Sequence, residues 1–476
     1  MPSSFILAPF FLLVILNLPF KFLRKEAAFW LAGSLLFTQV LLILLHPLFF
    51  WSSYPDPLRS FFAFDLSIDN LTLILLLIIG IVAFVSLFVA RDTIGQERQR
   101  FHFINLLLIS LMGMNSIVLV RDIFSLYVFV EITAVASFIL IALEKNKLAI
   151  EGTFKYLILS AIASVFMLSA IAFFLLAAGD ISFAAISQAF SIGADNFPLK
   201  LAVGLFLCGL FIKSGVVPFH GWVADAYSAA PASVSVLLAG IVTKVSGVYV
   251  LLRLFGPVFI LNSSLQNVFL FVGAFSIVFA ALAALTQDDF KRMLSYSSIS
   301  QIGYIVLALG CATPLAFVGA VFHFFNHAIF KSLLFVNAAS LEKQLGTTDM
   351  NKLTGLGHKM PVTGVTSLIG LLSTAGIPPL SGFWSKLIIV IALFSSGRFI
   401  YAGIALLAGI LTLAYFLSFE RRVFFGKTET TSGNIGKVPL AISFSEILLT
   451  AITVGVGVGF VFIFNTLKLP IKDILR

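Results

Sequence analysis

Apolar residues fill the chain in long blocks, and most charged residues fall in the short connections between them. A helix needs roughly 20 apolar residues to cross a bilayer. By that measure the pattern predicts fourteen spans, at 5–22, 28–50, 70–90, 103–120, 123–143, 155–178, 200–229, 232–254, 266–286, 295–310, 315–340, 361–396, 400–418 and 441–465. With 60% hydrophobic and 11% charged residues over 476 positions, the fold class is an all-α polytopic membrane protein. No Lys or Arg precedes the 5–22 block and it lacks a small-residue cleavage site, so it reads as a spanning helix retained in the mature chain.

Basic residues predict the sidedness, because cytoplasmic loops collect Lys and Arg. Connections after odd-numbered spans hold eighteen of them, from Lys21, Arg24 and Lys25 to Arg421, Arg422, Lys427 and Lys437. Connections after even-numbered spans hold five, Arg59, Arg121, Lys200, Arg253 and Arg398. Both termini are therefore expected outside, with Lys468, Lys472 and Arg476 in the tail arguing weakly the other way. The formal charge of +9 then belongs to the membrane surface, and no basic patch with interleaved aromatics points to nucleic acid. Cys208 and Cys311 stand alone in apolar segments, without the spacing of a zinc or iron–sulfur site, and read as packing residues.

Two blocks are interrupted in the same way. Gly215-Val-Val-Pro218-Phe-His-Gly221-Trp222 and Gly376-Ile-Pro-Pro379-Leu-Ser-Gly382-Phe-Trp384 share the pattern G-x-x-P-x-x-G. Pro removes a backbone donor and Gly loosens the helix, so spans seven and twelve should be broken helices. Their separation by five spans suggests a five-helix unit used twice and inverted, spans 4–8 and 9–13, and broken helices at matching positions point to an ion path. Two unrelated proline kinks are the plainer alternative. The expected organisation is 1–102 for the first three helices, 103–254 and 266–418 for the two units, and 441–476 for a closing helix and tail.

Five charges sit deep inside apolar blocks: Glu131, Lys213, Lys244, Lys331 and Lys386. Each would cost about 2.5 to 3.5 kcal/mol if left unrelieved at a helix centre. Glu131 lies nine residues after Asp122 and thirteen before Glu144, about 14 and 20 Å away along a helix and near mid-membrane. Lys213 and Lys244 are also too far from Lys200 and Arg253 to reach an interface easily. One acid cannot neutralise four lysines, which argues against a purely static ion pair. A buried ammonium is costly unless a carboxylate stands beside it, so making or breaking that contact changes whether the amine holds its proton.

His323, His327 and Lys331 recur every four residues and share one helix face. Zinc would need a third ligand that is not evident, while a packed core pair and a proton wire both fit. Ser160, Ser164, Asn326, Ser332 and Tyr415 are further polar groups that could extend a path or simply pack. His220, Asp225 and Tyr227 follow the first break. Asp225 reads either as a bond to the freed backbone or as a gate at the path's mouth, with His220 beside it.

Several runs are similar, in order, to the antiporter-like membrane subunits of respiratory complex I, membrane-bound hydrogenases and multisubunit cation/proton antiporters. They are Asp122-Ile-Phe-Ser-Leu-Tyr-Val-Phe-Val-Glu131, Lys213 through Pro231 with Thr243-Lys244, Phe290 through Gly303, His323-Phe-Phe-Asn-His-Ala-Ile-Phe-Lys331, and Pro378-Pro-Leu-Ser-Gly-Phe-Trp-Ser-Lys386. The resemblance covers nearly the whole chain and implies fourteen helices with two inverted repeats. It implies that Glu131 pairs with Lys213, that Lys244 is the central lysine, and that Lys386 holds the span-twelve position, where some branches have Glu. It also makes His323, His327 and Lys331 the link between two half-channels. Where the family often has Pro-Asp-Ala-His this chain has Ala224-Asp225-Ala226-Tyr227, so that histidine's role has no bearer. The resemblance is to shorter branches without a long lateral helix after span fourteen, hydrogenase-linked and antiporter-complex subunits above all.

The sequence thus reads as a proton-translocating subunit of a complex I-like or hydrogenase-type assembly in a prokaryotic cell membrane. No flavin, nicotinamide or iron–sulfur motif is present, so no cofactor is assigned, and redox chemistry would belong to partner subunits carrying iron–sulfur clusters. The alternative is a subunit of a multisubunit sodium/proton antiporter with no redox partner. A self-sufficient solute carrier lacks a substrate constellation, and a pure scaffold would not retain such costly lysines.

Overall fold

The computed structural model describes residues 2–18, 25–45, 65–192, 196–425 and 436–462, which form helices and short connections with no strand among them. The helices are α1 (Ser4–Asn17), α2 (Lys25–Leu44), α3 (Asn70–Thr93), α4 (Glu97–Leu119), α5 (Ile123–Ile141), α6 (Lys147–Ala178), α7 (Phe183–Ile192), α8 (Phe197–Ser214), α9 (Gly221–Ala229) and α10 (Ala232–Leu254). They continue as α11 (Ser263–Leu285), α12 (Phe290–Leu309), α13 (Pro314–Leu345), α14 (Pro361–Ala375), α15 (Ser381–Ser395), α16 (Phe399–Val423) and α17 (Leu440–Val458). Short polar side chains close the helix starts: Asp69, Asp122, Asn146, Asn262 and Asp289 each accept a backbone N–H three residues on, at 2.7 to 2.9 Å.

Among the described residues, eleven helices are long and apolar enough to cross a membrane. The remaining predicted blocks depart for physical reasons. Block 5–22 forms the 14-residue α1, block 295–310 lies in α12, whose Lys291, Arg292 and serines dilute its apolar character, and block 361–396 is divided into α14 and α15, 15 residues each. The ends of the first, second and last predicted blocks lie outside the described residues, as do Lys21, Arg24, Arg59, Lys427, Lys468, Lys472 and Arg476. Large apolar side chains of α6 such as Phe154, Val165 and Leu176 face outward, the surface a multi-pass protein offers to lipid.

At the centre stands α10, every residue of which is buried, packed against α3, α8 and α13. Two stretches of it, Leu238–Val242 and Lys244–Tyr249, are wound as π-helix, a widening that marks functional sites more often than chance. Beside it, the 32-residue α13 contacts α3, α10, α12, α14, α15 and α17, so it touches almost every inner element of the second half.

Both predicted interruptions are real and have one geometry. At the first, Gly215 takes φ +67°, its N–H bonds Ile212 O at 3.1 Å and the next N–H bonds Phe211 O at 3.3 Å. At the second, Gly376 takes φ +91°, with the equivalent bonds to Ser373 O at 3.1 Å and Leu372 O at 3.0 Å. These are two copies of the glycine-terminated helix end, and glycine is required because the left-handed φ penalises any Cβ. The Val217–Pro218 and Pro378–Pro379 bonds are cis. The third glycines of the two motifs differ: a Cβ on Gly221 meets nothing within 4 Å, whereas one on Gly382 would collide with Ser373 O.

At one end of the bundle, Asp69 before α3 joins Arg253 of α10 at 2.6 Å and Arg121 after α4 at 3.3 Å. Burial pushes the Asp69 carboxyl up, but Arg253, Arg121 and the Thr72 N–H together hold it down at about 2, against an ordinary 3.8. A depressed carboxyl stabilises the fold above its unfolded value and loses that contribution as pH falls through the folded one. Acid titration of the detergent-solubilised protein should therefore show stability lost between pH 3.8 and about 2, a loss that is smaller in Asp69→Asn. Gly382→Ala should lower thermal stability by about 1 to 3 kcal/mol through overpacking, with Gly221→Ala near wild type in the same melting assay.

Candidate functional site

The buried charges of the first half are tied across three helices. Lys213 on α8 donates to Glu131 Oε1 of α5 at 2.8 Å and to Ser160 Oγ of α6 at 2.6 Å. Lys213 is 1% exposed while the Glu131 side chain keeps 26%, so the carboxylate is the accessible partner. The sequence places Lys213 one residue from the end of α8, where the C-terminal carbonyls favour a cation.

Lys244 is fully buried at the start of the second π stretch and turns its ammonium back to the Ala239 carbonyl. Its helix is pressed closely on both sides. A Cβ on Gly247 would lie 2.6 Å from the Ser214 backbone nitrogen of α8, and one on Gly240 would collide with Ser332 Oγ of α13. Helix α10 is therefore the physical bridge between the helix of Lys213 and that of Lys331.

Helices α12 and α13 face one another along matched polar stripes. Lys331 donates to Ser297 Oγ at 2.7 Å and to Leu294 O at 3.3 Å, and Tyr415 of α16 donates to the same Ser297 at 2.8 Å. One turn along, His327 Nε2 pairs with Ser298 Oγ at 3.2 Å. A further turn along, His323 Nδ1 pairs with Ser385 Oγ of α15 at 2.9 Å. The two imidazoles are nearly parallel with centroids 6.2 Å apart, and His323 Nε2 and His327 Nδ1 have no hydrogen-bond partner among the described residues. Imidazole can both give and take a proton through its two ring nitrogens.

Lys386, next to Ser385, donates to Thr374 O at 2.7 Å and lies 4.6 Å over the Tyr304 ring. Thr374 is in the last turn of α14, so the second break supplies the acceptor: ending a helix frees its terminal carbonyls. A cavity of about 240 Å³ lined by Tyr304, Gly376, Lys386 and Gly409 adjoins it.

Asp225 bonds neither freed backbone nor a neighbour on its own helix. Its two oxygens accept from Lys155 of α6 and Arg292 of α12, each at 2.6 Å, which ties the first half to the second on the side rich in basic residues. His220 lies edge-on to Phe279 at 5.0 Å with Nδ1 unpartnered, and Tyr227 bonds Thr243. Ser332 bonds a carbonyl of its own helix, Ser164 bonds Ser160 O and also meets the Tyr127 hydroxyl of α5, and Asn326 donates to Ser381 O at 2.9 Å and ties α13 to α15.

Sequence reasoning passes over the receiving groups Ser297, Ser298, Thr374 and Ser385, because hydroxyls and carbonyls carry no sequence signal of their own. It also passes over Glu420 and Glu446, 2% and 0% exposed in α16 and α17. Glu446 falls inside the apolar block 441–465, the same signal that marks Glu131.

Residues 120–412 match the family described as NADH:quinone oxidoreductase/Mrp antiporter, transmembrane. The chain is 33% identical over 401 residues to a Na(+)/H(+) antiporter subunit of Alkalihalophilus pseudofirmus, covering 83% of this chain and 80% of that one. It is 31% identical over 434 residues to an NADH-quinone oxidoreductase subunit of Desulforudis audaxviator, covering 87% and 85%. A chain in the structure of the Mrp complex from Dietzia sp. superposes with a TM-score of 0.90 at 21% identity, over 100% of this chain and 97% of that one, which shows a shared fold. The buried lysine and histidine row thus lies in a chain that belongs to the NADH:quinone oxidoreductase/Mrp antiporter transmembrane family.

Proposed function

We propose that this antiporter-like membrane subunit moves protons along the row Glu131, Lys213, Lys244, His327, His323 and Lys386, with Lys331 flanking the histidines. The observation that carries the reading is the ammonium of Lys213 shared between Glu131 and Ser160 at one end of a buried polar row, and the ammonium of Lys386 on a freed helix-end carbonyl at the other. Between them stand two parallel imidazoles, each with one buried nitrogen left unpartnered among the described residues. Opening the Glu131 contact leaves Lys213 buried without its counterion, which drives its proton onward; closing it draws a new one in. Asp225, held by Lys155 and Arg292, would set the mouth of the first half-path, with His220 nearby.

The finer architecture belongs to the same proposal: fourteen spans, two inverted five-helix units and both termini outside. Two breaks with one hydrogen-bond pattern support the repeat. The chain acts within a multisubunit assembly of a prokaryotic cell membrane, with redox partner subunits carrying iron–sulfur clusters as the reading favoured by the quinone oxidoreductase relative. The antiporter relative, 33% identical, favours the second reading, sodium/proton exchange driven by the ion gradient alone. Purifying the intact complex and identifying its companion polypeptides separates the two.

In reconstituted complex, Lys244→Ala should reduce proton pumping by ~10²-fold, the usual worth of a positioned proton-transfer group, while the subunit still assembles. Unaltered pumping would refute the path. Glu131→Gln should impair pumping with assembly intact, because a neutral amide keeps a contact to Lys213 without its charge; loss of assembly instead would mean a static ion pair.

A further inference from the structure

A second polar nucleus lies away from the row, where α13, α14, α16 and α17 meet. Glu420 Oε1 accepts from Ser367 Oγ at 2.7 Å. With its amide nitrogen turned toward its acceptors, Asn337 donates to Glu446 Oε1 and to Thr366 Oγ1 at 3.2 Å each, and its oxygen accepts the Ser367 N–H at 2.9 Å. Ser340 and Thr363, bonded to each other at 3.0 Å, lie beside Glu446. The two carboxyls are thus joined through Ser367 and Asn337 into one hydrogen-bonded unit.

The second oxygen of each carboxyl, Glu420 Oε2 and Glu446 Oε2, is buried with no hydrogen-bond partner among the described residues. A fully ionised carboxylate in such a place would cost several kcal/mol, and the donors beside the pair, Ser367, Asn337, Ser340 and Thr363, are all neutral, with no cation among them. An oxygen of this kind calls for a bound proton or a cation. The position is also directed. Glu420 is three residues from the end of α16, beside Arg421 and Arg422 on the basic side, and Asn337 is six residues from Lys331 on α13, about 9 Å along the helix axis.

We propose that Glu420 and Glu446 form a proton-loading site that feeds Lys331 from the Lys/Arg-rich face, a branch into the second half separate from the Glu131 entry. It rests on the proton-path reading of the row. The pair holds a proton on an Oε2 oxygen; when Lys331 is a neutral amine the carboxyl releases that proton through intervening water to it, the carboxylate left behind is reprotonated from the surface, and Asn337 holds Glu446 in place without changing its own protonation, so that charge and atoms balance at each exchange. A monovalent cation would use the same oxygens, and the experiment separates the two.

The test uses the assembled complex in vesicles, with pumping read from a pH-sensitive dye and infrared difference spectra recorded alongside. Glu446→Gln and Glu420→Gln should each reduce pumping tenfold or more, and the double variant should fall no further than either alone, because the two act as one unit. A protonated-carboxyl stretch should be present in wild type and lost in Glu446→Gln. Wild-type pumping in the double variant overturns the proposal, as does absence of the protonated-carboxyl band together with a sodium-dependent spectral change, which would make the site a cation site. Should Glu446→Gln fail to assemble, Glu420→Gln alone carries the same readouts. If Lys244→Ala also leaves pumping intact the row itself is wrong; if it abolishes pumping while the glutamine variants do not, only this branch fails.

Discussion

An ammonium held at the depth of hydrocarbon needs an oxygen within reach, and this constraint shapes the inner half of the molecule. Lys213 has Glu131 and Ser160, Lys331 has Ser297 and Leu294 O, and Lys386 has Thr374 O. A continuous α-helix offers few spare acceptors, since its carbonyls are bonded within the helix. The breaks after Ser214 and Ala375 release carbonyls. The π stretches of α10 loosen the bonding around Lys244. Irregular backbone is tolerated here because it is enclosed by protein rather than by lipid.

The two halves are joined by different means at different depths. On the basic side the link is electrostatic, through Asp225 with Lys155 and Arg292, and through Lys291 with Glu342 at 3.1 Å and Ala230 O at 2.9 Å. In the middle it is steric, through α10 wedged between α8 and α13, with Gly247 close against Ser214 and Gly240 close against Ser332. Ionic contacts near the surface can open and close at modest cost, whereas a packed glycine contact transmits displacement without opening.

Much of this was legible in the sequence. Apolar blocks mark the helices because hydrocarbon leaves no alternative, and deep charges mark Glu131 and Lys213 because their burial is costly enough to need a reason. The breaks were readable from Gly215, Pro218, Gly376 and Pro379, since those residue types change what a backbone can do. What stayed hidden has no such residue code. The π winding of α10 runs through Leu, Ala, Gly, Ile and Val residues that carry no signal for it, and Glu420 sits beside Arg421 and Arg422, so that it reads as an interfacial acid although its carboxyl is buried.

The contact of Gly247 with Ser214 has a mechanical consequence. Ser214 follows Lys213 directly, and Gly247 lies one turn from Lys244 on the neighbouring helix. With only the small Ser214 hydroxyl at the contact to absorb a shift, rocking of α8 that stretched the Glu131 tether would also lever the segment bearing Lys244. Lys213 and Lys244, which the proposed path takes in turn, are in this way geared to one joint, and on that reading its rigidity would set their timing.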